Sequence, residues 1–175
     1  MAGHNKWSKI KRQKEKSDAE KSRVFGKLVR TISLEAKKSG GNIKSPVLRA
    51  AIEKAREANV PSENIERAIR KGKEGESNLE EIIYEAYGPG GTALLILCLT
   101  SNRNKSAQEV KHVLTKYGFD LAKPGSASWA FEKKEEEWTP AVSVEISETQ
   151  GEVLSNLIDS LCALDEVEDV LANAK

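Results

Sequence analysis

The 175-residue chain has little of what catalytic and metal chemistry is usually built from. Its two cysteines, Cys98 and Cys162, sit in apolar surroundings, and its two histidines, His4 and His112, are far apart. Four such residues at these spacings make neither a disulfide framework nor a zinc site. The cysteines read as small buried hydrophobes of a protein in a reducing compartment. Neither histidine stands near a nucleophile and a carboxylate at a spacing that suggests a triad. No glycine-rich loop is followed by Lys-Ser/Thr, and Gly88-Pro89-Gly90-Gly91 falls between two predicted strands, where it reads as a turn. Glu135-Glu136-Glu137 is a solvated acidic run and a weak metal signal. These shortages predict no catalytic residue, no metal, no cofactor, no small-molecule substrate and no enzyme activity. No apolar run approaches the length that crosses a bilayer. The N-terminal charges have no apolar segment behind them, which argues against a secretory signal. The expected location is the cytoplasm.

What the chain has is charge, unevenly placed. The formal net charge is only +1, but Met1–Lys73 carries 20 basic and 8 acidic residues and Glu74–Lys175 carries 8 basic and 19 acidic. A basic half joined to an acidic half predicts two domains with different partners. The first thirty residues hold ten of the cations, against Glu15, Asp18 and Glu20. A stretch this basic favours a polyanion, and Trp7 within it offers an indole face on which an unpaired base can stack. The candidate nucleic-acid contacts here are Lys6, Trp7, Lys9, Lys11, Arg12, Lys14, Lys16 and Arg23. The competing reading is a solvated terminus with Trp7 folded onto the core.

Hydrophobic periodicity sets out the elements. Ser17-Asp18-Ala19-Glu20 has capping-box spacing and opens a helix to about Lys38, striped by Val24, Phe25, Leu28, Val29 and Ile32 and ended by Gly40-Gly41. Ser45-Pro46 opens a second helix, with Leu48, Ala51, Ile52 and Ala55 inward and Arg49 and Arg56 sharing another face. Ser62 caps a third that carries Ile65, Ala68 and Ile69 and closes at Gly72. Arg67, Arg70 and Lys71 remain outside. Lys73–Asn78 is polar and aperiodic, and reads as a linker exposed to proteases.

Beyond it the period changes. Ile82–Tyr87 and the continuous apolar run Thr92–Leu99 predict strands, the second buried on both faces. Ser106-Ala107-Gln108-Glu109 has capping-box spacing before a helix that Gly118 ends. Ala127–Phe131 and Val142–Ile146 predict two further strands, Val153–Leu161 a helix, and Val167–Ala172 a last strand. The fold class is therefore α+β: an N-terminal three-helix domain followed by a ferredoxin-like ββαββαβ domain with both helices on one sheet face. The expected boundaries are a basic tail over 1–16, the helical domain over 17–73, a linker over 74–79 and the ferredoxin-like domain over 80–175. The second sheet face needs cover, and the helical half is a candidate for it.

The loop Thr100-Ser101-Asn102-Arg103-Asn104-Lys105-Ser106 leaves a buried strand and enters a helix. Asn102, Arg103, Asn104 and Lys105 make a candidate phosphate site there. Equally, the two asparagines could serve only turn and cap hydrogen bonds.

Met1-Ala2-Gly3-His4-Asn5-Lys6-Trp7, Tyr87-Gly88-Pro89-Gly90-Gly91, Thr100-Ser101-Asn102-Arg103-Asn104 and Leu157-Ile158-Asp159-Ser160-Leu161 occur in an order that resembles the YebC/PmpR family over nearly the whole chain. The resemblance implies a helical domain followed by α/β structure in a cytoplasmic, non-enzymatic protein. Such proteins are commonly labelled DNA-binding transcriptional regulators. Others, mitochondrial relatives included, are assigned to translation on ribosomes. One departure stands out. The family usually carries a further α/β domain between the strand ending Phe131-Glu132-Lys133-Lys134 and the one beginning Pro140-Ala141-Val142, where this chain has only Glu135–Thr139. The expectation is a short-form, nucleic-acid-binding regulatory protein acting on DNA. The alternatives are a ribosome-associated factor holding rRNA through its basic N-terminal domain, and a scaffold whose acidic sheet docks a protein. No helix carries an obvious base-reading set of Arg, Asn and Gln.

Overall fold

The structure, a computed structural model, describes residues 18–135 and 137–175. Three helices come first: α1 (Asp18–Lys38), α2 (Pro46–Glu57) and α3 (Ser62–Lys73). They are followed by β1 (Glu80–Tyr87), β2 (Ala93–Thr100), α4 (Arg103–Lys116), β3 (Phe131–Lys134), β4 (Glu137–Pro140), α5 (Glu148–Cys162) and β5 (Val167–Ala172). The class is α+β. The chain divides into two units, one formed by Glu81–Cys98 with Asn102–Lys175 and the other by the described part of Lys16–Glu80 with Leu99–Ser101.

In the helical unit α1 packs against both α2 and α3. Ile32 and Ala36 of α1, Leu48, Ile52 and Ala55 of α2 and Ile65 and Ala68 of α3 share one buried cluster. These are the apolar positions of each helix, brought together because no one stripe can leave water alone. Ser17 of the expected capping box lies outside the described residues. Neither Ser45 nor Ser62 behaves as expected. Ser45 precedes Pro46 but makes no side-chain cap bond, and α3 starts at Ser62 itself, with Pro61 in the cap position. The expected terminator Gly72 is an interior residue of α3, buried against α1. A Cβ there would stand 2.3 Å from the Ser33 carbonyl oxygen and 2.7 Å from the Ala36 Cβ. Gly75 ends the helix instead. It takes a φ of 73°, its amide donates to the Gly72 carbonyl, and the Glu76 amide donates to that of Lys71, the paired bonds of a Schellman ending. The polar stretch after α3 is therefore ordered by backbone bonds, and Ser77 within it is buried, its carbonyl accepting a bond from Lys37 Nζ at 2.7 Å.

In the other unit, β2 is the central strand of a three-stranded sheet in the order β1-β2-β5. It pairs antiparallel with β5, Leu94 opposite Ala172 and Ile96 opposite Val170. Alternation along β2 divides the core in two. Leu94, Ile96 and Cys98 meet Val110 and Leu114 of α4 and Leu154, Leu157, Ile158 and Leu161 of α5. Ala93 and Leu95, with Leu171 of β5, meet Ala127, Ala130 and Phe131. The two helices thus share one face, and the other face is covered by the unit's own chain.

That cover comes from a segment whose periodicity suggests something else. Strand β3 is preceded by a turn of 3₁₀ helix at Ser128–Ala130 and pairs with β4 as a separate hairpin, Phe131 opposite Pro140 and Lys134 opposite Glu137. The strand expected over Val142–Ile146 is reduced to one parallel bridge, Val144 to Ala174. Glu135, just after β3, adopts a φ of 56°, and Glu137 of the same acidic run opens β4. Helix α5 has a full capping box at its start: the Gln150 amide donates to Ser147 Oγ and the Ser147 amide to Gln150 Oε1. Cys98 is buried and Cys162 half-buried, and no disulfide joins them.

Candidate nucleic-acid interface

Lys6, Trp7, Lys9, Lys11, Arg12, Lys14 and Lys16 lie outside the described residues. Arg23 is the one tail-proximal candidate within them. It stands half-exposed on the first turns of α1, an amphipathic helix whose Phe25, Leu28 and Val29 turn toward the helical core. Cations continue over this unit. Arg49 and Arg56 of α2 are both exposed, as their seven-residue spacing predicts. On α3, Arg67, Arg70 and Lys71 follow i, i+3, i+4 spacing and are also exposed, with Arg67 bonded at 3.0 Å to Glu63 one turn earlier. Such an exposed pair is weak and readily exchanged for another anion.

A groove runs along the seam of α1 and α3. Phe25, Val29 and Ala68 line its apolar part, and Arg30, Arg67 and Lys71 bring positive charge. The apolar positions face the seam because they are the edges of the two buried stripes. The cations are near neighbours of those edges in sequence, where a helix turns from core to solvent.

In the candidate loop that leads into α4, Asn102 has a structural role. Its Oδ1 accepts the Lys105 amide at 3.1 Å, making it the N-cap of α4. The helix thus starts at Arg103, ahead of the expected cap Ser106, which is buried. Ser106 Oγ instead donates to the Arg103 carbonyl and shares a 2.7 Å bond with the Tyr84 hydroxyl. Arg103, Asn104 and Lys105 are exposed in the first turn. Lys105 Nζ lies 3.8 Å from Glu109 and 3.9 Å from Glu166, so its charge is shared with two carboxylates. Arg23 and the residues Asn102–Lys105 belong to different units, and each is a candidate in its own right. Among the described residues no three His, Cys, Asp or Glu side chains group as metal ligands would, and no helix is long and apolar enough to cross a membrane.

One polar residue carries no signal in the sequence. Glu85 is buried in β1 and its carboxylate accepts three backbone N–H bonds, from Gly125 at 2.7 Å, Ala127 at 2.7 Å and Ser128 at 2.8 Å. Burial pushes its pKa up, but the N–H groups of Gly125, Ala127 and Ser128 together outweigh it and hold the pKa below the usual carboxylate range. The clamp fixes the segment carrying Trp129, whose Nε1 donates to the Tyr87 hydroxyl at 3.0 Å. In sequence, Glu85 looks like any charged residue in a half-exposed strand.

Residues 5–75 match the TACO1/YebC protein N-terminal domain, and residues 79–136 match the TACO1/YebC second and third domain. A "Probable transcriptional regulatory protein" of Fervidobacterium nodosum is 54% identical over 138 residues, 77% of this chain and 54% of that protein. One of the same name from Thermotoga maritima is 53% identical over 138 residues, again 77% of this chain and 54% of the relative. The chain thus spans about half the length of the curated relatives it matches. A crystal structure of a conserved hypothetical protein from Aquifex aeolicus superposes with a TM-score of 0.86 at 32% identity, over 98% of this chain and 97% of that one. The two domain matches, the identities and the shared fold establish that this chain belongs to the TACO1/YebC family.

Proposed function

We propose that this protein is a non-enzymatic, nucleic-acid-binding regulator that acts on DNA in transcription, with the basic tail and the helical unit as its binding surface. The observation that carries the reading is the excess of cations in Met1–Lys73, 20 basic against 8 acidic residues, continued as exposed arginines and lysines on α2 and α3. Phosphate contacts supply the affinity in such a surface, each releasing counterions. The names of the relatives support the regulatory part. Arg103, Asn104 and Lys105 are proposed as a second, smaller phosphate contact, with Asn102 shaping the turn that presents them. A cytoplasmic location belongs to the same reading.

The test is the salt dependence of binding to a duplex. Replacing Lys6, Lys9, Lys11, Arg12 and Lys14 together by Ala is expected to shallow the slope of log K against log salt by roughly 4 to 5, at about 0.9 per lost contact. An unchanged slope would remove the tail from the interface. A second reading, a ribosome-associated factor on rRNA, is favoured by Trp7. An indole gains from an unpaired base and little from a duplex backbone. In that case Trp7→Ala lowers affinity for ribosomes or structured RNA by roughly five- to 150-fold, equivalent to 1–3 kcal/mol, and leaves duplex binding unchanged.

A further inference from the structure

We propose that the groove along the α1–α3 seam is a site for one unpaired nucleotide of a single strand, its base against the Phe25 ring and its phosphates on Arg67 and Lys71. The inference rests on the nucleic-acid reading above and goes beyond it by naming where a base would sit. The groove encloses about 600 Å³, within the roughly 300–1,000 Å³ usual for small-molecule sites. Its lining has the three parts that a nucleotide needs. Phe25 and Val29, half-buried, and Ala68 make an apolar wall containing an aromatic ring. Arg67 and Lys71, exposed one turn apart on α3, make a cationic rim. Asn64, half-buried one turn before Ala68, offers an amide that both donates and accepts, as the polar edge of a base requires.

The Glu63 carboxylate now on Arg67 does not compete strongly, because that pair is surface-exposed. A duplex is a poor occupant, since its bases present only edges in the grooves. An unpaired nucleotide presents both the ring face and the phosphate.

The experiment uses the full chain and three labelled probes: a 12-nucleotide oligothymidylate, the same backbone with every base abasic, and a 24-base-pair duplex. Phe25→Leu keeps an apolar side chain against the helical core but removes the ring. It should weaken oligothymidylate binding by roughly five- to 150-fold and change abasic-strand and duplex binding less than about twofold. Because Phe25 touches the core, urea melts of the variant accompany the titration. Arg67→Ala with Lys71→Ala, both exposed, is the variant that keeps the fold. It should shallow the single-strand salt slope by about 1.4, at about 0.7 per contact. Equal loss on thymidylate and abasic strands, or no loss in either variant while the wild type binds, overturns the groove assignment and leaves the nucleic-acid reading intact. A wild type that binds none of the three probes overturns both. Uridine monophosphate that displaces the 12-mer at micromolar concentration overturns the assignment to a strand in favour of a free nucleotide.

Discussion

Gly72 and Glu85 show how much single positions decide. In an open helix, Gly→Ala stabilises by roughly 1 kcal/mol. At Gly72 the new methyl would meet the Ser33 carbonyl oxygen at 2.3 Å and the Lys37 amide nitrogen at 3.0 Å. Backbone cannot yield as a side-chain tip can, so α3 would have to move off α1. Gly72→Ala is therefore expected to destabilise by about 1–3 kcal/mol, the usual range for overpacking, read as a lower urea midpoint with an unchanged m-value. Glu85 gives a pH dependence whose sign is set by its depressed pKa. A carboxylate held below its unfolded value contributes stability that is full above the ordinary glutamate pKa of roughly 4.3 and is lost as the pH falls from there through the folded value. Glu85→Gln puts an NH₂ group among N–H donors. It should cost about 1.5–3 kcal/mol at neutral pH, the worth of hydrogen bonds to a charged group. It should also flatten the acid limb of a stability–pH curve. An acid limb identical to the wild type would mean that Glu85 does not carry it.

At the scale of elements, helix ends are the informative places. Asn102 bonds the Lys105 amide, whereas Asn104 is exposed in the first turn of α4. Asn102→Ala should lower stability by about 0.5–2 kcal/mol, as lost N-caps do, and Asn102→Asp should restore most of it. Asn104→Ala should stay within about 0.5 kcal/mol, typical of surface changes. Thermal melts of the three variants check this. They also guard the binding experiments, because only Arg103, Asn104 and Lys105 can then be tested for phosphate contact without a change of fold. The ends of α1, α2, α3 and α4 share one device: an amide five residues after a carbonyl donates back to it, as from Gly41 to Ala36, Val60 to Ala55, Glu76 to Lys71 and Phe119 to Leu114. Glycine at such ends was legible at Gly40-Gly41 and Gly118. It misled at Gly72, because a glycine required by close packing looks the same in sequence as one required by a turn.

For the whole molecule, charge asymmetry is the property with consequences. Under the proposed function, a net of +12 in Met1–Lys73 and −11 in Glu74–Lys175 is expected to give the basic half a salt-sensitive affinity for polyanions that the whole chain's +1 conceals. Tail-mediated binding to a duplex should therefore weaken steeply between 50 and 200 mM salt, by about 10³- to 10⁵-fold for roughly six to ten phosphate contacts. Affinity that is flat across that range would point to contacts other than phosphate.

The sequence by itself determined the features set by local periodicity and composition: the three amphipathic helices, β2 as a doubly buried strand, α5, β5 and the division of charge. Each is a pattern within one segment, enforced by the need to bury an apolar stripe or face. Tertiary structure decided the features that depend on distant partners. Val142, Val144 and Ile146 alternate as a strand should, yet the chain after β5 pairs with them in one bridge, Val144 to Ala174, beside which the Asn173 side-chain amide donates to the Val142 carbonyl. The hairpin β3–β4 forms in its place, since Phe131 and Ala130 find Leu95 and Leu171 to cover. Gly72 and Glu85 were illegible for the same reason. A close approach and a triple backbone clamp are made by residues about 40 positions apart, and nothing in the neighbouring sequence records them. The groove of Phe25, Arg67 and Lys71 is likewise a product of how α1 lies on α3, although each residue's place on its own helix could be read in advance.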